Sequence, residues 1–321
     1  MKKMIAAVAV LGLAACRKDE LKVDYKQEMR TFVQSISAYA KNIHPGFIVI
    51  PQNGQQLLTS DGTASGSIAT DYLNAIDGVG REDLFYGYEN DDEATPSGDQ
   101  QEMLPFMDIA KNNNIKVLAI DYCSTLSNMS NSYDQNNARG YISFAADHRG
   151  LDNIPSYPSS PYAVNAADVN TLADAKNFLY LINISDDAFS SKQGFLNAVA
   201  ATNYDAVIMD INYGDWFFTA AEINSLKHKA NGGSRKIICY MSIGEAEAYR
   251  YYWQDLWNGV PPQWMVAENA QWGGNYKVKY WDKEWQGIIY GNPNSYTNRI
   301  ISAGFDGVYL DIIDGFEYFE N

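Results

Sequence analysis

The sequence predicts an α/β protein and, within that class, a (β/α)8 TIM barrel. Three observations carry the expectation. Short apolar runs rich in Val, Ile and Tyr alternate with stretches of helical periodicity, the pattern of a parallel sheet covered by helices. Eight such runs fall in a chain of 321 residues, and eight is the strand number of a barrel. No Gly-rich nucleotide loop follows any of them, which weighs against a doubly wound open sheet.

The elements follow in order. Met29, Phe32, Val33, Ile36, Ala40 and Ile43 recur on one helical face, so the first folded element is a helix. Strands are expected over 47–51, 76–79, 116–121, 178–182, 206–210, 236–241, 276–280 and 305–311. Helical periodicity covers 103–112, 192–202, 219–230 and 285–303. A helix leads the pattern and a strand closes it. In a closed barrel the last strand pairs with the first, so the leading helix is expected to fill the place of the helix missing after 305–311. That order is a circular permutation cut in the loop after the last strand. The stretch 151–171, rich in Pro, Ser, Ala and Asn, reads as the linker that joins the original ends.

The first residues stand apart from this pattern. Lys2 and Lys3 precede an apolar run over 5–13 that is too short to span a bilayer. Leu13-Ala14-Ala15-Cys16 follows and resembles the bacterial lipobox, in which the Cys is lipidated. The expected organisation is a lipoprotein signal peptide over 1–16, a tether over 17–24 and one barrel domain over 25–321. Lipidation at Cys16 would place the protein in the bacterial cell envelope, at the outer membrane or cell surface, anchored without spanning.

Composition narrows the function. A net charge of −15 makes nucleic-acid phosphates poor partners. The three His residues show no metal-ligand spacing, and Cys123 and Cys239 sit beside apolar runs as buried free thiols would. A His-based zinc site or a catalytic triad is therefore not expected, and neither is a cofactor. Polar residues at the strand ends are instead mostly carboxylates: Glu82, Asp121, Asp210, Glu245 and Asp311, with Asn53 and Asp314 beside them. Barrel enzymes work at that face. Two carboxyl groups are what glycoside hydrolysis requires, one to protonate the leaving oxygen and one to support the anomeric centre. Plainer roles exist for each: Asp311 or Asp314 capping a helix, Glu245 and Glu247 in a helix's first turn, Glu247 paired with Arg250. Six of the seven Trp fall between 253 and 285, and two or three are expected to stack on a sugar.

Long segments carry a family resemblance. CYMSIGEAEAYRYYW (239–253), GNYKVKYWDKEWQ (274–286) and GFDGVYLDIIDGFEYF (304–319) resemble glycoside hydrolase family 114, the endo-α-1,4-polygalactosaminidases and their bacterial relatives. FIVIPQNG (47–54), GREDLFYG (80–87) and KVLAIDY (116–122) are similar to later segments of that family, here in swapped order. The resemblance implies a monomeric barrel that cleaves α-1,4-linked galactosamine or N-acetylgalactosamine polymers. It implies Asp311 and Glu82 as the catalytic pair, Asp311 leaning to nucleophile and Glu82 to acid/base. Asp210, Glu245, Asp121, Asn53, Asp314 and Tyr240 would bind substrate. Two other readings stay open: a carbohydrate-binding envelope lipoprotein without catalysis, and a structural protein of the envelope.

Overall fold

The computed structural model describes residues 23–320. Cys16, the signal segment 1–16 and most of the tether lie outside the described residues. Among those described, eight strands run parallel: β1 (Ile48–Pro51), β2 (Gly78–Glu82), β3 (Lys116–Tyr122), β4 (Ile142–Ala146), β5 (Phe178–Leu181), β6 (Ala206–Met209), β7 (Lys236–Ser242) and β8 (Gly307–Asp311). Most of their residues are buried on both faces, which is why they read as unbroken apolar runs.

The strands form two parallel sheets, in the orders β1–β8–β7–β6–β5 and β2–β3–β4. The sheets meet at two places. A parallel bridge between Gln52 and Gly80, with the Asn53 N–H donating to the Gly80 carbonyl at 2.8 Å, ties the end of β1 to β2. At the other side β4 lies against β5, with the Phe144 and Phe178 rings 6.1 Å apart. Tyr309 of β8 reaches so close to β2 that a Cβ at residue 80 would stand 1.9 Å from its hydroxyl. Only glycine fits there.

The leading helix, Tyr25–Ile43, is capped by Asp24, which accepts from the Gln27 N–H at 2.9 Å. Met29, Phe32, Val33, Ile36 and Ala40 are fully buried, while Ile43, on the same expected stripe, is 44% exposed at the helix end. The helix packs against the helices Thr70–Ala75, Tyr296–Ser302 and Phe316–Glu320. The Tyr25 and Phe319 rings lie 5.4 Å apart, tilted by 30°, so the two ends of the described chain adjoin.

Four expectations are corrected. The stretch 276–280 is not a parallel strand: Asn275–Val278 is the middle of a small antiparallel sheet with Glu245–Glu247 and Met265–Glu268. The eighth parallel strand is β4, a short run interrupted by Ser143. The stretch 285–303 is two helices, Lys283–Ile289 and Tyr296–Ser302, because Gly291 takes φ +95° and Pro293 has no N–H to continue a helix. Beyond β8 comes a short helix, Phe316–Glu320, where none was expected. The irregular stretch 151–171 is itself docked: the Leu151 carbonyl accepts from the N–H groups of Ile182 and Asn183, and Leu151 and Val169 are buried.

Candidate active site

A cavity of about 300 Å³ opens at the C-terminal ends of the strands. Glu82 enters it from the end of β2, Asp311 from the end of β8, and Tyr240 from β7. Asn53, Asp210, Glu245 and Asp314 complete the group of expected residues that line it.

Glu82 is held by donors on both oxygens. Gln52 Nε2 and Asn53 Nδ2 donate to Oε2, the latter at 3.0 Å, and the Tyr122 hydroxyl donates to Oε1. The Glu82 N–H in turn donates to Asn53 Oδ1 at 3.2 Å. The Gln52 amide is itself oriented: the Tyr180 hydroxyl donates to its Oε1 at 2.8 Å, which turns Nε2 toward Glu82. Gln52, Tyr122 and Tyr180 are buried.

Asp311 accepts from the Tyr240 hydroxyl at 2.6 Å and from the Ile312 N–H at 2.8 Å. Burial, and then the charge of Glu82, push its carboxyl up to about 8. Asp311 therefore holds a proton at neutral pH. Residue 312, next in the chain, is a β-branched residue at φ +57°, a conformation that isoleucine rarely adopts. Asn53 (φ +61°) and Asp83 (φ +57°) lie in the same region after β1 and β2. Strain of this kind clusters at functional sites. Ile312 is accommodated by Gly244, where a Cβ would come within 2.2 Å of the Ile312 carbonyl.

The far wall is built on Arg250. It donates to Asp210 Oδ1 at 2.8 Å and to Glu247 Oε2 at 2.7 Å, so Glu247 has the ion-pair role open to it in the sequence. Glu245 is 2% exposed; its Oε1 accepts from Asn269 at 2.8 Å, while Oε2 is buried without a partner. Burial raises its pKa. Asp314 is pushed up to about 6 by burial and the neighbouring Glu317.

Asp121 does not join the site. It is fully buried and accepts from the Phe85 and Tyr86 N–H groups, Ser132 and Asn136. Glu82 is in register with Ile120, so Ile120 and Tyr122 share its side of the sheet and Asp121 points the other way. Of the six clustered Trp, Trp272 lines the cavity and is 61% exposed at its mouth. Trp264 and Trp285 are core residues, with rings 5.0 Å apart. Tyr180, Arg149 and Arg250 were not expected in the cavity, and Gln52 and Tyr122 were expected there only as polar strand ends without a role. The signals for Tyr122 and Gln52 were strand alternation and the neighbouring Asn53; for Arg250, its spacing from Glu247.

A parallel α/β scaffold with converging carboxylates at its strand ends defines a class of hydrolase-like sites. Residues 160–321 match the model of glycoside-hydrolase family GH114, half of the chain, and the chain belongs to that family. The matched span holds Asp210, Tyr240, Glu245, Asp311 and Asp314; Glu82 and Asn53 lie before it. The chain is 35% identical over 182 residues to the uncharacterized protein MJ1477 of Methanocaldococcus jannaschii, covering 56% of this chain and 49% of that protein. It is 39% identical over 127 residues to an uncharacterized protein of Deinococcus radiodurans, covering 39% of this chain and 38% of that one. The chain thus spans half or less of the length of these curated relatives. A hyperthermophilic endo-β-1,4-glucanase structure aligns over 88% of this chain and 93% of its own at 14% identity and a TM-score of 0.30, too loose a likeness to bear on fold or activity.

Proposed function

We propose that the chain is a glycoside hydrolase that cleaves internal links of an α-1,4-linked galactosamine or N-acetylgalactosamine polysaccharide, with Asp311 and Glu82 as its carboxyl pair. The observation that carries the reading is the convergence of these two groups, from β8 and β2, on one cavity, where burial and the charge of Glu82 raise the Asp311 carboxyl. One carboxyl gives its proton to the glycosidic oxygen as the C–O bond breaks; the other supports the anomeric carbon, and water completes the hydrolysis. Asp311 acts as nucleophile only in its ionised form, so that role requires it to give up the proton it holds at neutral pH. The excess of carboxylates around the cavity suits an amino sugar.

The scaffold in this reading is a closed (β/α)8 barrel over 25–321 in permuted order. Its support is that β1 adjoins both β8 and β2, that β4 lies against β5, and that the leading helix packs between Tyr296–Ser302 and Thr70–Ala75. The lipobox-like tetrad ending in Cys16 supports export and a lipid anchor at the cell envelope, with the enzyme acting as a monomer. The test is product release from partially deacetylated α-1,4-galactosaminan by the chain lacking residues before Arg17. Asp311→Asn and Glu82→Gln are each expected to lower turnover by about a thousandfold or more. Turnover that survives both substitutions would reject the pair. A parent that releases nothing would reject the substrate.

A further inference from the structure

Arg149, on the segment that follows β4, lines the cavity without touching either carboxyl of the pair. Its guanidinium reaches instead to the segment that follows β2, two strands away. Nη2 donates to Asp83 Oδ1 at 2.7 Å and to the Gly87 carbonyl, Nη1 to Asp83 Oδ2 at 3.5 Å, and Nε to Asp91 Oδ1 at 2.5 Å. These bonds occupy most of the five N–H donors that an arginine has, so little of the group is left for a ligand. Between β2 and β4 lies β3, which ends in Tyr122. The guanidinium carbon stands over the Tyr122 ring, 4.1 Å from its centre, and the hydroxyl of that ring donates to Glu82 Oε1.

The group is closely packed and anchored from both sides. A Cβ at residue 87 would stand 2.5 Å from Asp83 Oδ1 and 3.1 Å from both Arg149 Nη2 and Tyr122 Cβ, and Gly87 takes φ +109°. The backbone around Arg149 is held as well. The Ala146 carbonyl accepts from the Cys123 N–H at 2.9 Å, and the Gly150 carbonyl accepts from Asn183 Nδ2 at 2.8 Å. Ion pairs as exposed as that between Arg149 and Asp91, at 41% and 43%, add little to stability. Tyr122 is different: it is 2% exposed, and its hydroxyl is committed to a carboxylate. The effect of Arg149 is therefore expected in the placement of that ring more than in the stability of the fold.

We propose that Arg149 is a positioning residue: tied to Asp83, Gly87 and Asp91, it holds the Tyr122 ring so that the hydroxyl stays on Glu82. The kinetic consequence rests on the glycosidase reading above; the placement of the hydroxyl does not.

The test has two readouts, and the first needs no substrate. It is the Tyr122 hydroxyl proton, followed by NMR in tyrosine-labelled protein and assigned by its absence from Tyr122→Phe. In the parent it is expected to exchange slowly with solvent, and in Arg149→Met and Arg149→Lys about tenfold faster or more. Lysine keeps the charge but lacks the fork that meets three acceptors. Arg149 is exposed, so both variants are expected to fold. Equal exchange in parent and variants, or fast exchange already in the parent, overturns the inference whatever the protein cleaves. The second readout is kinetics of parent, Arg149→Met, Tyr122→Phe and the double variant on partially deacetylated α-1,4-galactosaminan. Arg149→Met is expected to lower kcat by about tenfold with KM little changed. In the Tyr122→Phe background it is expected to add scarcely any loss. Losses that add, or a raised KM, would make Arg149 a substrate contact and overturn the inference; so would a lower Tm with kcat unchanged. A parent that cleaves nothing removes the glycosidase reading, and hydroxyl exchange then decides the placement by itself.

Discussion

The Tyr240 hydroxyl meets Asp311 diagonally across the β7–β8 ladder, at 2.6 Å, although its register partner on β8 is Tyr309. The tyrosine leans toward the open end of the strands and gives the carboxylate its side-chain donor.

That donor favours the charged form of Asp311, while burial and Glu82 oppose it. If the proton on Asp311 is the one delivered to the leaving oxygen, activity falls as pH rises through about 8, where Asp311 loses it. Tyr240→Phe removes a hydrogen bond to the charged carboxylate, so the Asp311 pKa rises and the alkaline limb of kcat/KM is expected to move to higher pH. Turnover at the optimum should drop by about tenfold or more. A pH–rate profile of parent and variant checks both; an alkaline limb that stays in place would discard the assignment of that limb to Asp311.

Folding stability should follow the same group. The Asp311 carboxyl has an ordinary value of 3.8 and stands near 8 in the folded protein. Between those values the folded state holds a proton that the unfolded chain has released, so the contribution to stability is full below about pH 4 and is lost by about pH 8. Asparagine carries no charge at any pH. Asp311→Asn is therefore expected to leave the Tm close to the parent's at pH 5 and to raise it at pH 9. Thermal melts at the two pH values decide the matter, and a variant less stable at pH 9 would contradict the cost that burial and the charge of Glu82 impose on the ionised Asp311.

The Tyr180–Gln52–Glu82 chain should behave as one unit. Tyr180→Phe removes the donor that orients the Gln52 amide, and Gln52→Ala removes the amide itself. Each is expected to lower kcat by about tenfold with KM little changed. The double variant should lose scarcely more than either single one, the mark of a shared path. Additive losses in a double-mutant cycle would show that the two act separately.

Asp121→Ala should damage stability instead of chemistry. It strands two backbone N–H groups and two side chains that the buried carboxylate now satisfies. A cost of about 3 kcal/mol is expected by denaturant titration. KM measured on the folded fraction should hardly move.

Much of this arrangement was legible because strands buried on both faces must be apolar throughout, and seven of the eight parallel strands announced themselves that way. β4 did not: Ile142–Ala146 is short, contains Ser143, and follows a helix, Leu126–Arg139, so rich in Asn and Ser that its periodicity is faint. The Asn275–Val278 strand looked similar to its parallel counterparts because Tyr276 and Val278 are apolar. The half-exposed Lys277 between them marks an alternating, antiparallel strand. At the site, charge alone was a poor guide. Counting carboxylates picked out Asp121, whereas the register that turns it away from Glu82 exists only once β2 and β3 are paired. Gln52 stands at one of the polar strand ends but carries no charge, so no role was assigned to it, though it grips the proposed acid/base.

The ladder between β1 and β8 has a consequence for how the chain is made. β1 is synthesised long before one of its two neighbours, since β8 spans residues 307–311. Until then one edge of β1 is unpaired and Glu82 has no Asp311 opposite it. Long-range pairing of this kind slows folding and leaves sticky edges in the growing polypeptide. A growing chain therefore cannot close this ladder, or bring the proposed carboxyl pair together, before β8 has been made.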